Sequence, residues 1–99
     1  MRNINLRYVD EEYGEDGILK HVEYKYPDNY NFGYDVVDDI AVNDPERTAM
    51  IWCNPAGDER RFTFADIKRL SDKTANYFMS LGIKKGDMVL TILKRHYQF

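Results

Sequence analysis

Thr63-Phe64-Ala65-Asp66-Ile67-Lys68-Arg69-Leu70 opens the run that decides the fold, and Leu81-Gly82-Ile83 closes it. Thr63 is placed to cap a helix. Asp66, three residues on, can reach back to it in a shorter version of the capping box. Phe62 and Ile67 stand at the two positions of a hydrophobic staple. Ile67, Leu70, Thr74, Tyr77, Phe78 and Leu81 recur at the 3/4 spacing of one buried face. Gly82 supplies the left-handed residue that ends a helix, and Ile83 can fold back on Phe78. The spacing predicts a helix over residues 64–81.

Upstream, Thr48-Ala49-Met50-Ile51-Trp52-Cys53 is a short run with β-favouring residues, and Asn54-Pro55-Ala56-Gly57-Asp58 has turn chemistry. Residues 60–64 then alternate, Phe62 and Phe64 against Arg61 and Thr63, which completes a β-hairpin with a loop longer than two residues. Downstream, Lys84-Lys85-Gly86-Asp87 is a turn, and Met88-Val89-Leu90-Thr91-Ile92-Leu93 is almost continuously apolar. A strand greasy on both sides belongs in a parallel sheet covered on both faces. Residues 60–64, the helix and residues 88–93 therefore read as a strand–helix–strand crossover. The chain has too few helices to cover such a sheet, and Arg95-His96-Tyr97-Gln98-Phe99 leaves two aromatics at an open end. The expectation is that the sequence is cut there.

Further toward the N-terminus, Tyr34, Val37, Ile40 and Ala41 recur at helical spacing and predict a helix over Phe32 to Val42. Asn31 is its N-cap, and Asp35, Asp38 and Asp39 place negative charge near its positive end. Pro45 forces it to stop. Residues 18–26 alternate with a period of two, as an extended segment or edge strand does, before Pro27-Asp28-Asn29 breaks the chain. Residues 1–17 are polar and acidic and read as a mobile lead-in. The domain expectation is a partly flexible arm over residues 1–27 and a body over residues 28–99.

Length and composition bound the function. Ninety-nine residues with 43% hydrophobic and 31% charged content make one small globular unit or a piece of a larger one. No apolar run is long enough to span a membrane, and the N-terminus lacks an apolar signal core. Cys53 is the only cysteine, which excludes an internal disulfide framework. With two distant histidines it does not compose a structural zinc site. These features fit a reduced, cytoplasmic compartment. The net charge of −3 divides into −8 over residues 1–46 and +5 over residues 47–99. The simplest consequence is attraction between the two halves.

Candidate chemistry is sparse. The Lys84–Asp87 turn follows a helix and precedes a strand, the reverse of a phosphate-binding loop, and a helix C-terminus repels anions. His21 and His96 have no nucleophile at a recognisable spacing and read as solvent-facing. Cys53, beside Trp52, reads as a buried inert thiol. Asp35, Asp38 and Asp39 share one helix, where magnesium binding competes with plain solvation. Tyr24, Tyr26, Tyr30, Phe32 and Tyr34 lack the basic footprint of a nucleic-acid binder and read as packing of an extended arm onto the body.

The stretch Asn31-Phe32-Gly33-Tyr34-Asp35-Val36-Val37-Asp38, followed by Pro45, Ala49-Met50-Ile51-Trp52 and Arg61-Phe62-Thr63-Phe64-Ala65-Asp66, resembles the start of AMP-forming acyl-CoA synthetases of the adenylate-forming superfamily. Ser71-Asp72-Lys73-Thr74-Ala75-Asn76, Leu81-Gly82-Ile83-Lys84-Lys85-Gly86-Asp87 and Val89-Leu90-Thr91-Ile92-Leu93 continue the pattern, closest to the acetyl and medium-chain branch. The resemblance covers residues 28–99. It implies an α/β fold: the incomplete N-terminal portion of the large AMP-binding domain, with helix, β-hairpin, helix and buried strand. It implies ligase chemistry in the whole enzyme. ATP and magnesium would activate a carboxylic acid as an acyl-adenylate, and CoA would take the acyl group. The family's catalytic motifs lie downstream, so no catalytic, cofactor-binding or metal-binding residue is assigned in this chain. Lys94 and Arg95, at the end of the expected strand, are the nearest to candidates. The implied partners are the remainder of the synthetase chain and the acid substrate. Nucleic acid and a membrane span are not expected, and the isolated segment is expected to self-associate. The alternative is a stand-alone small α/β protein-interaction module without catalysis.

Overall fold

The computed structural model describes residues 5–98. The chain forms two compact units, one up to Val36 and one from Val37 onward. Expectations for Met1 to Ile4 and for Phe99 lie outside the described residues.

The first unit opens with one helical turn, α1 (Asn5–Tyr8), and a hairpin of β1 (Val9–Tyr13) and β2 (Leu19–Tyr24). The strands are antiparallel, pairing Val9 with Tyr24 and Glu11 with Val22, with a register shift at Glu12/Tyr13. Residues 9–13, expected within an irregular lead-in, are therefore a strand. Their alternation is hidden because both faces of Asp10-Glu11-Glu12 are polar. The connecting turn supplies the reason for the pairing. Gly17 takes φ +72°, and the Asp16 carboxylate accepts the Ile18 N–H at 3.0 Å and the Lys20 ammonium at 2.8 Å.

A π-helical segment, Gly33–Asp38, runs into α2 (Asp39–Asn43). The expected helix is present, but its first half is wound more loosely than an α-helix. Asn31 does cap it: its Oδ1 accepts the Gly33 N–H at 2.9 Å, and the Asp35 carboxylate reaches back to the Asn31 N–H at 2.7 Å. Gly33 and the β-branched pair Val36-Val37 are weak α-formers, which leaves the winding to the cap. Among the described residues, Ile40 (8% exposed) and Ala41 (7%) are the buried apolar side chains. Tyr34, expected on the same stripe, is exposed.

In the second unit β3 (Thr48–Cys53) pairs antiparallel with β4 (Glu59–Thr63), Met50 opposite Phe62 and Trp52 opposite Arg60. The loop is closed by Asn54 and Asp58, whose side chains bond each other at 2.8 Å, with Gly57 at φ +89°. Helix α3 (Phe64–Ser80) follows at once. Its first N–H groups, which no helix can satisfy internally, are all taken. Phe64 donates to the Arg47 carbonyl, Ala65 to that of Pro45, and Asp66 to Thr63 Oγ1. At the other end Gly82 (φ +79°) donates to Met79 and Ile83 to Phe78. That is the double bond pattern of a Schellman stop.

Two expectations fail beyond α3. Its stripe is not a buried face: Ile67 and Phe78 are half-buried, while Leu70, Tyr77 and Leu81 are exposed. The hairpin is too short to cover more than the first turns. Residues 88–93 form no strand, and the crossover does not close. Met88 is 96% exposed and Ile92 89%. The composition is that of a central strand, but β3–β4 is a two-stranded sheet that does not extend to it. An apolar sequence without a pairing edge has nothing to be buried against. The last described residues do fold back. Tyr97 packs on Phe62 (ring centroids 5.4 Å apart) and edge-on to Trp52 (6.0 Å), with the Arg60 guanidinium 4.6 Å from its ring. Tyr97 is thus half-buried, not an exposed end.

Candidate functional site

Helix α3, the β3–β4 hairpin and Tyr97 enclose an open groove of about 640 Å³. Its walls are Met50, Phe62, Ile67, Leu70, Tyr77 and Tyr97, with Ser71, Lys73, Thr74 and Gln98 completing the lining. The hydroxyls are spent on the helix itself: Ser71 Oγ donates to the Lys68 carbonyl at 2.9 Å and Thr74 Oγ1 to that of Leu70 at 3.0 Å. Among the described residues no histidine, cysteine or carboxylate lines it. The groove is therefore walled mainly by apolar and aromatic side chains, with Lys73 its one charged lining residue among the described residues.

The charged side of α3 is built the same way. Lys68 holds Asp38 at 2.9 Å and Asp72 at 3.0 Å. These bonds, Asp38 first, raise its pKa above the ordinary lysine value. The Lys68–Asp38 pair joins the acidic stretch of sequence to the basic one and ties the start of α2 to α3. Asp66 accepts from the Thr63 N–H and hydroxyl, both at 3.1 Å, which holds its carboxyl below the usual range.

The residues weighed for chemistry are not brought together. Asp35 is committed to the Asn31 N–H and Asp38 to Lys68. Among the described residues no group of three His, Cys, Asp or Glu side chains could hold a metal ion. The Lys84–Asp87 turn is closed on itself, the Asp87 carboxylate accepting the Lys84 N–H at 2.7 Å. Lys94 and Arg95 are exposed, and the Arg95 carbonyl accepts the Trp52 indole N–H at 3.4 Å. Cys53 is exposed rather than buried, because it ends β3 at the loop. His21 is exposed on β2. His96 is not solvent-facing: it is half-buried, and its Nδ1 is closed off from solvent with no hydrogen-bond partner among the described residues. The fold-back of Tyr97 places it there, and no periodicity in the sequence announces that turn. The five aromatics of residues 24–34 were expected to pack onto the body. Within the first unit, Tyr8, Tyr26 and Tyr30 pack on one another, with centroids of 5.0 Å for Tyr8–Tyr30 and 6.0 Å for Tyr26–Tyr30.

Residues 37–99 match the model of the AMP-binding enzyme family, beginning where the second unit begins. The chain is 34% identical over 83 residues to the mitochondrial acyl-coenzyme A synthetase ACSM4 of Rattus norvegicus, a match covering 78% of this chain and 14% of that protein. It is 44% identical over 52 residues to the crotonobetaine/carnitine–CoA ligase of Salmonella arizonae, covering 52% of this chain and 10% of the ligase. It is also 36% identical over 64 residues to the L-2-aminoadipate reductase large subunit of Candida glabrata, covering 63% and 5%. The chain therefore spans about one-seventh, or less, of the length of these relatives.

Proposed function

We propose, since this chain belongs to the AMP-binding enzyme family, that it is a structural segment of an acyl-CoA synthetase and carries no catalysis of its own. The complete ligase would activate a carboxylic acid with ATP as an acyl-adenylate and pass the acyl group to CoA. One observation carries this reading. A match that covers 78% of the chain covers only 14% of the acyl-coenzyme A synthetase it resembles. The polar side chains support it, because Thr63, Asp66, Lys68, Asn31 and Asp35 are engaged in caps and ion pairs that hold helices. The aspartates of residues 35–39 do not fit magnesium, since Asp35 and Asp38 already serve as acceptors for Asn31 and Lys68. Nor does the Lys84–Asp87 turn fit a triphosphate, being closed by its own aspartate at a helix C-terminus. On this reading ATP and CoA would bind polypeptide other than these residues, and the role of α2, α3 and the hairpin is to support it.

The test is ATP–pyrophosphate exchange. The purified 99-residue chain, given ATP, magnesium and a panel of short to medium-chain carboxylic acids, is expected to show no acid-dependent exchange above a protein-free blank. Acid-dependent exchange by these residues alone would refute the proposal.

A further inference from the structure

We infer that the first unit carries a binding site for a small quaternary ammonium compound, a site independent of the ligase reading. Tyr8, Tyr24, Tyr26, Tyr30, Phe32 and Val36 line a cavity of about 210 Å³. This is below the ~300–1,000 Å³ of a typical pocket for a larger ligand, and suits a single compact group. The rings stand at differing angles, Tyr8 and Tyr30 at 62° and Tyr26 and Tyr30 at 47°, so that more than one face and edge bounds the space. Tyr24, Tyr26 and Phe32 are exposed, which leaves the cavity open to a solute without rearrangement.

Three features select the chemistry. Aromatic faces carry partial negative charge and attract a cation placed over them. The chain already uses one of these rings in this way, with the Arg7 guanidinium 5.6 Å from the Tyr8 centroid. The first unit is acidic in sequence: residues 5–36 hold eight Asp and Glu against three Lys and Arg. Lys25, the basic residue between Tyr24 and Tyr26, is paired with Asp10. Finally, among the described residues the lining has no carboxylate or amide side chain. A primary ammonium entering it would lose hydrogen bonds to water and meet only neutral tyrosine hydroxyls as side-chain acceptors among the described residues. A methylated ammonium has no N–H to satisfy, so it is the cation that the cavity fits. The small volume points to a free solute bearing a trimethylammonium head, not to a methylated protein tail.

Titration of the 99-residue chain with tetramethylammonium chloride, at constant ionic strength and followed by the tyrosine ring resonances, tests this. Saturable shifts of Tyr8, Tyr26 and Tyr30 are expected. The neutral isostere tert-butanol should bind about tenfold more weakly, the difference a cation–π contribution makes. Tyr30→Phe should keep the affinity and Tyr30→Leu lose about tenfold. Equal binding of tert-butanol to the unsubstituted chain, or shifts that do not saturate, would overturn the proposal whatever the variants do. So would a trimethyllysine peptide that binds more than about tenfold tighter than tetramethylammonium.

Discussion

Thr63 ends one strand and begins one helix, and Asp66 makes both events compatible. The Thr63 hydroxyl accepts the Asp66 N–H at 3.2 Å while the Asp66 carboxylate takes the Thr63 N–H at 3.1 Å. Thr63→Ala is expected to destabilise the second unit by about 1 kcal/mol in urea denaturation, and Thr63→Ser by much less. The pH dependence follows from the same bond. The folded pKa of Asp66 lies below its ordinary 3.8, the Thr63 N–H being the largest cause. The stabilisation is therefore complete above that value and is lost as pH falls through the folded pKa. Asp66→Asn should flatten the acid limb of a Tm-against-pH curve. A residual slope is expected from Asp16, whose pKa is lowered chiefly by its bond to Lys20. At the far end of α3, Gly82 sits at φ +79° with open space where a Cβ would go. Gly82→Ala should cost about 1 kcal/mol through backbone conformation alone, without a clash.

At the scale of elements, what was legible depended on whether the cause is local. The α3 cap, its stop at Gly82 and the β3–β4 hairpin are each specified within a few residues by Thr63, Gly82 and the Asn54–Asp58 loop, and they could be read directly. Strand β1 could not, because Asp10-Glu11-Glu12 alternates nothing apolar, and its pairing depends on the Gly17 turn beyond it. Residues 88–93 mislead for a different reason. Their composition describes the surroundings of a sheet interior, and those surroundings are not supplied by β3 and β4. The half-buried His96 was not legible either, because it depends on the Tyr97 fold-back, a tertiary event. Because Leu90 and Ile92 are exposed, the double variant Leu90→Lys/Ile92→Lys should change the unfolding free energy by less than about 0.5 kcal/mol. Sedimentation velocity should show the unsubstituted chain associating as its concentration rises and the variant doing so less, since an exposed apolar segment is an association hazard.

At the scale of the molecule, the second unit has well-determined ends to its elements and little interior. Ile40 and Ala41 are buried beneath α3, yet the stripe of α3 and residues 88–93 stand open. Such a unit has its secondary structure fixed by caps and turns while its larger apolar surfaces await a sheet, which is the role proposed for it in a ligase. Among the described residues, none of the amides of residues 88–93 donates to a backbone carbonyl, whereas those of α3 and β3–β4 do. Residue-resolved hydrogen–deuterium exchange on the 99-residue chain measures this difference. The account predicts protected amides through the middle of α3 and across the β3–β4 pair, with residues 88–93 exchanging at the rate of an unfolded peptide. Protection of residues 88–93 equal to that of β3 would contradict it, because the segment would then have found its sheet within these residues.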